Sequence, residues 1–135
     1  MSSMRIFLDA SFLVYLLIKT PEIAERIVRL YAELTEEHEL YTDALVLDEV
    51  IHVSKKKYRI FYESSIKFID EYILPYVDVL PIGLMEYLKA KENMLKYNLK
   101  PSDAIHLAVI ENHGLQAIVT EDEDFERVPI KRIWL

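Results

Sequence analysis

The sequence has no cysteine and only two glycines in 135 residues. The first absence excludes disulfides, thiolate metal sites and cysteine nucleophiles, and it fits an intracellular protein. The second excludes glycine-rich phosphate cradles, which need several closely spaced glycines. No apolar run reaches the roughly 18 residues of a membrane span. The start of the chain lacks the layout of a secretory leader. A cytoplasmic protein with no membrane partner is therefore expected. Positive charge is short as well: 16 Lys and Arg stand against 23 Asp and Glu, a net charge of −7. A passive nucleic-acid binder normally carries a basic footprint. A metal-dependent nuclease does not need one everywhere, because its carboxylates hold cations and the cations meet the phosphate.

What remains is an ordinary globular composition, 52% hydrophobic and 29% charged. The length is that of one domain, and residues 1–135 are read as a single unit. Residues 4–9 read as a buried strand, with Ser11 opening an apolar helix to about Lys19. Thr20-Pro21-Glu22 has the form of a second helix start, with Thr as N-cap and Pro in the first turn. A strand follows at Glu39–Thr42. Asp43 can cap the next helix, which runs to about Lys57. Further helices are expected from Tyr62 to about Leu74, from Leu84 to about Asn98, and from Lys100-Pro-Ser-Asp103 to Gly114. Strands are expected at 76–80, 115–120 and 130–134. Apolar strands alternating with helices imply an α/β domain: a parallel sheet covered on both faces.

In such sheets ligands bind beyond the carboxyl ends of the strands. The residues directly after the strands are therefore the informative ones. Asp9 ends the first strand inside an otherwise apolar run, where an uncompensated charge is costly. Asp43 follows the second strand. Thr120-Glu-Asp122-Glu-Asp124-Phe125 follows the fourth, while Leu80-Pro-Ile-Gly after the third carries no chemistry. Glu49 lies in an apolar helix start, and Asp103 lies in the first turn of the helix that feeds the fourth strand. Singly, each acid has an ordinary reading as a cap, a turn residue or a solvated side chain. Together, four or five carboxylates at one sheet edge would repel one another unless divalent cations neutralised them. An oxygen-only set without an organised histidine points to Mg²⁺ or Mn²⁺ rather than zinc. His106 reads as a core histidine with its hydrogen bonds met, while His52, one turn after Glu49, could line the site but reads first as an ordinary helix residue. Basic stretches at Lys55–Arg59 and Arg127–Arg132 are candidate phosphate contacts.

Four segments in order carry a family likeness: Leu8-Asp9-Ala-Ser11-Phe-Leu-Val, Leu45-Val-Leu-Asp-Glu49-Val50, Ser102-Asp103-Ala-Ile-His-Leu-Ala108 and Val119-Thr-Glu-Asp122-Glu-Asp124-Phe125. Over its whole length the chain resembles the PIN-domain ribonucleases, in particular the toxin components of VapBC-type toxin–antitoxin pairs. The resemblance implies a three-layer α/β/α fold with strand order 3-2-1-4-5. It implies Asp9, Glu49, Asp103 and Asp122 as catalytic, metal-binding acids. Asp124 would be a fifth ligand or an alternative fourth, and Ser11 and Thr120 would support the set. It further implies a Mg²⁺- or Mn²⁺-dependent endoribonuclease with an RNA substrate, a homodimer through helix faces, and a cognate antitoxin that pushes a side chain, often basic, toward the acids. An RNA-processing nuclease, or a PIN module that only binds RNA or protein, is the alternative. A phosphorelay receiver would need an Asp after the third strand, and a haloacid-dehalogenase phosphatase would need Asp-x-Asp at the first. Neither pattern is present. The sequence departs from the family at Asp43, where a small hydroxyl residue is often found.

Overall fold

The computed structural model describes residues 2–135. Strand β1 (Arg5–Leu8) leads directly into helix α1 (Ala10–Ile18), and α2 (Ala24–Glu37) follows. Then come β2 (Glu39–Asp43), α3 (Ala44–Tyr58), α4 (Tyr62–Phe68) and β3 (Val77–Leu80). Helices α5 (Leu84–Tyr97) and α6 (Pro101–Asn112) precede β4 (Ala117–Val119), and β5 (Lys131–Ile133) closes the chain. The five strands form one sheet in the order β3-β2-β1-β4-β5, and every pairing is parallel. The expected order 3-2-1-4-5 is the observed one.

The order places the helices. Crossovers between parallel strands are right-handed. The steps β1→β2 and β2→β3 run one way across the sheet, so α1 to α4 share a face, and α1 packs on both α2 and α3. The step β3→β4 runs back the other way, which puts α5 and α6, packed on each other, on the opposite face. Between the layers Ile6, Phe7, Leu8, Phe12, Leu13, Leu107, Ile110 and Ile118 are fully buried. The hydrophobic driving force, about 25 cal/mol for each Å² of apolar surface buried, is thus concentrated around β1 and β4. Those are the two strands whose separation in order creates the switch point.

Most boundaries follow the sequence, and three do not. Helix α2 starts at Ala24 without a side-chain cap, because Pro21–Ile23 form a turn of their own. Helix α4 gives way to a π-helical turn over Ile69–Ile73, and the hydroxyl of Tyr31 donates to the carbonyl of Tyr72 there. Helix α1 is capped by Asp9, ahead of where Ser11 as the cap would start it, and Ser11 stands in the first turn. The stop of α6 is as expected: Gly114 adopts φ +64°, and the amides of Gly114 and Leu115 donate to the carbonyls of Glu111 and Ile110.

Candidate metal-binding active site

Asp9 stands at the carboxyl end of β1 and is 6% exposed. The local chemistry fixes both its oxygens. Oδ1 accepts the Ala10 amide at 2.8 Å, and Oδ2 accepts the Thr120 hydroxyl at 2.7 Å. Thr120 lies just beyond β4, so this bond spans the switch point. Thr120 Oγ1 also accepts the Asp122 amide at 3.1 Å, and Ser11 Oγ accepts the Glu121 amide at 3.1 Å. A strand end and a helix start are thereby locked to the loop after β4 through two hydroxyls. Both hydroxyls were expected to play supporting parts.

The remaining acids gather around this junction in two groups. Ligand atoms of Asp9, Glu49 and His106 lie within 4.8 Å of one another, and so do those of Asp103, Asp122 and Asp124. The five sequence candidates are divided between these two groups. Glu49 is half-buried on the α1-facing side of α3. Burial and then the charge of Asp9 raise its pKa, with His106 opposing. Asp103, in the first turn of α6, is pushed up to about 7 by burial, by the charges of Asp9 and Asp122, and by a hydrogen bond to Asp122. Asp122 caps a 3₁₀ turn (Glu123–Arg127), accepting the Asp124 amide at 2.9 Å. Asp124 is held by Arg127 at 3.0 Å.

One histidine and one basic stretch depart from expectation. His106 is 1% exposed, but its hydrogen bonds are only half met. Its Nδ1 pairs with Asp43 Oδ2 at 2.7 Å, while Nε2 has no hydrogen-bond partner and lies 4.0 Å from Asp9 Oδ1. Asp43 is fully buried and does two jobs, because its Oδ1 accepts the Val46 amide and caps α3. Burial favours neutral His106, but the Asp43 bond and the charges of Asp43, Asp9 and Asp103 outweigh it and raise its pKa. A signal was present: His106 is three residues after Asp103 on one helix, and that spacing shares a face. The basic residues Arg127 and Arg132 are not free for phosphate. Arg127 donates to the carbonyls of Tyr97 and Asn98 as well as to Asp124, and Arg132 to Glu126 and the Thr120 carbonyl. His52 is exposed, in a groove with Asp48, Tyr62 and Ile66 away from the acids.

The donors fit a divalent cation. Buried carboxylates with raised pKa values and an orphaned imidazole nitrogen gain most from a positive ion, and oxygen-rich sets suit hard cations. A family model described as the PIN domain matches residues 6–131.

The chain belongs to the PIN-domain family.

Ribonuclease VapC13 of Mycobacterium tuberculosis is 33% identical to this PIN domain over 101 residues, 70% of this chain and 72% of the relative. Among solved structures, M. tuberculosis VapC20, a sarcin–ricin loop cleaving toxin, superposes with a TM-score of 0.76 at 21% identity, covering 93% of this chain and 95% of its own. VapBC2 from Rickettsia felis, solved with a promoter DNA fragment, gives 0.70 at 17% identity, covering 96% and 98%. At such identities these two structures speak for the fold.

Proposed function

We propose that this PIN domain is a Mg²⁺- or Mn²⁺-dependent endoribonuclease of the cytoplasm, and the toxin of a VapBC-type pair. Residues 1–135 would act as one domain. The observation that carries the reading is the convergence of Asp9, Glu49, Asp103, Asp122 and Asp124 at the β1–β4 edge, where, among the described residues, Arg127 is the single arginine paired to any of them. Relatives named as VapC ribonucleases support RNA as the substrate.

Asp9, Glu49, Asp103 and Asp122 are the acids that would hold the ions. Asp122 is preferred over Asp124, whose charge Arg127 already offsets. The ions held by these acids would supply Lewis acidity toward a phosphodiester and its attacking water, chemistry that would leave a 5′-phosphate on the product. The chain's own part is orientation. Thr120 and the Ala10 amide hold both oxygens of Asp9 still, so little rearrangement is left for the reaction. Asp103 must give up its proton to join the set. Beside Glu49 a shallow groove runs past Tyr15 and Ser11 to Lys57 and Tyr58, an ammonium and a ring suited to a strand's phosphate and base.

An antitoxin partner is supported by neighbours that are VapBC assemblies. It is supported also by the apolar groove of Leu16, Leu17, Val28, Tyr31, Phe68 and Tyr72. A homodimer is supported by the exposed Leu84, Met85, Tyr87, Leu88 and Leu95 of α5. The test is cleavage of RNA by purified protein with Mg²⁺ or Mn²⁺, its loss with EDTA and in Asp9→Asn, and growth arrest relieved by the product of a neighbouring short reading frame. Full cleavage by Asp9→Asn, in a preparation free of other nucleases, would overturn the assignment.

A further inference from the structure

The two groups of acids are chemically unlike. Asp103, Asp122 and Asp124 offer only oxygen, whereas the group of Asp9 and Glu49 includes an imidazole nitrogen. We propose that Nε2 of His106 is a metal ligand, and that with Asp9 and Glu49 it forms a cation position selective for first-row transition ions such as Mn²⁺ over Mg²⁺. This rests on the cation-dependent reading above and adds a ligand and a selectivity to it.

Geometry is the first support. The Nε2–Oδ1 separation of 4.0 Å is too long for a hydrogen bond. It lies within the span of two ligand atoms that each sit about 2.1 Å from one ion. The carboxylate of Glu49 brings a third donor within 4.8 Å.

Satisfaction is the second. Among the described residues, Nε2 is one of three buried side-chain polar atoms with no hydrogen-bond partner, and the other two are serine hydroxyls. A buried nitrogen without a partner is costly. This one faces carboxylates rather than apolar groups.

Orientation is the third. A metal-binding histidine characteristically gives its other ring N–H to a carboxylate, which fixes the tautomer and turns the free lone pair toward the ion. Asp43 Oδ2 holds Nδ1 at 2.7 Å, and Asp43 is itself fixed because Oδ1 caps α3. The ring also packs on Phe7, with centroids 5.4 Å apart. The imidazole has no room to turn away.

Selectivity follows from the donor type. Mg²⁺ keeps oxygen ligands and near-ideal octahedral geometry, whereas imidazole suits transition ions. The all-oxygen group would accept Mg²⁺.

The deciding experiment loads wild-type protein with Mn²⁺ alone and records pulsed electron paramagnetic resonance. A ¹⁴N coupling of imidazole type is expected. Calorimetric titration of His106→Gln should show Mn²⁺ affinity lowered about 10- to 100-fold, with Mg²⁺ affinity changed far less, and Asp43→Asn should lower Mn²⁺ affinity about tenfold or more. Bound Mn²⁺ without ¹⁴N coupling overturns this proposal and leaves cation dependence standing. A wild-type protein that binds no Mn²⁺ overturns both. Absence of imidazole coupling in the wild-type spectrum overturns the proposal even where a substitution at His106 fails to fold, and retention of that coupling in a folded His106→Gln does so too.

Discussion

Glu86 and Asp103 are each 9% exposed, yet their surroundings push them in opposite directions. Glu86 lies in the seam between α5 and α6. One oxygen accepts the Asn112 side chain at 2.9 Å and the other the Gly83 amide at 2.8 Å, and together they lower its pKa. Nearby, Asn93 donates to Glu111 at 2.9 Å. Asp103 is desolvated by its burial and also faces other acids, and its pKa rises to about 7. Equal exposure therefore does not fix a carboxylate's pKa: donors offset desolvation in one place, and neighbouring charges add to it in the other. The seam gives Glu86 two donors and Glu111 one, and serves stability. At the sheet edge Asp9 and Asp122 also have donors, but Asp103 meets other carboxylates, and a cation would offset that crowding.

The largest expected break in this comparison is at the centre of the edge. Asp9→Asn should lower RNA cleavage by at least about 10²–10³-fold, as for loss of a principal charge-stabilising group. Initial rates on a labelled RNA would check this, with circular dichroism confirming the fold.

Next comes pH. Asp103 has a folded pKa of about 7, above the usual carboxylate value. It is therefore protonated in the metal-free fold at a pH where it would be ionised in the unfolded chain. Its contribution to stability is complete below the unfolded pKa and is lost as pH rises through about 7. Cation binding has the opposite slope, because ligands must be deprotonated. Affinity should fall about tenfold per unit as pH drops below about 7. Thermal melts with and without Mg²⁺ from pH 5 to 8.5 should show the cation-induced gain in Tm growing upward through that range. A gain that is flat with pH would remove Asp103 from the ligand set.

Substitution at matched burial sharpens the contrast. Glu86→Ala leaves the Gly83 amide and Asn112 without partners and should cost about 1–3 kcal/mol in chemical denaturation, with cation affinity unchanged. Asp103→Asn should raise the Tm of the metal-free protein by a few degrees at pH 8, since it removes a crowded charge, and should abolish most of the cation-induced gain. If both variants destabilise the protein alike, the distinction between the two clusters fails.

The smallest effect is expected at the rim of the site. Lys57→Glu should weaken RNA binding and reduce the salt slope by about one unit, without altering cation affinity. An unchanged slope would mark Lys57 as a solvated residue.

The fold was legible because its signals are redundant. The strands near residues 6, 41 and 118 are apolar and short, Gly114 marks the end of α6, and the four acidic segments recur in family order. The site acids could be read because a charge such as Asp9 in an apolar run demands an explanation. Two kinds of feature stayed hidden. A capping pattern is local, and the turn at Pro21 took the residues that would have capped α2. Pairings across long sequence separations have no local signal at all. Asp43 meets His106 across 63 positions, and Arg127 reaches the carbonyls that end α5 from 29 and 30 positions away. From the sequence, Asp43 is an unusual residue for its position and His106 an ordinary core residue. Only their contact shows that one explains the other.

The bond from Thr120 to Asp9 joins residues 111 positions apart. Its consequence lies in the order of synthesis. Translation releases β1 and α1 first, at about 5–20 residues per second. Until the segment after β4 has emerged, one oxygen of Asp9 has no donor and Asp122 is not yet beside Asp103. The acidic edge is therefore among the last features of this protein to exist. A ribosome making the chain carries an incomplete catalyst for most of the time it takes to make it.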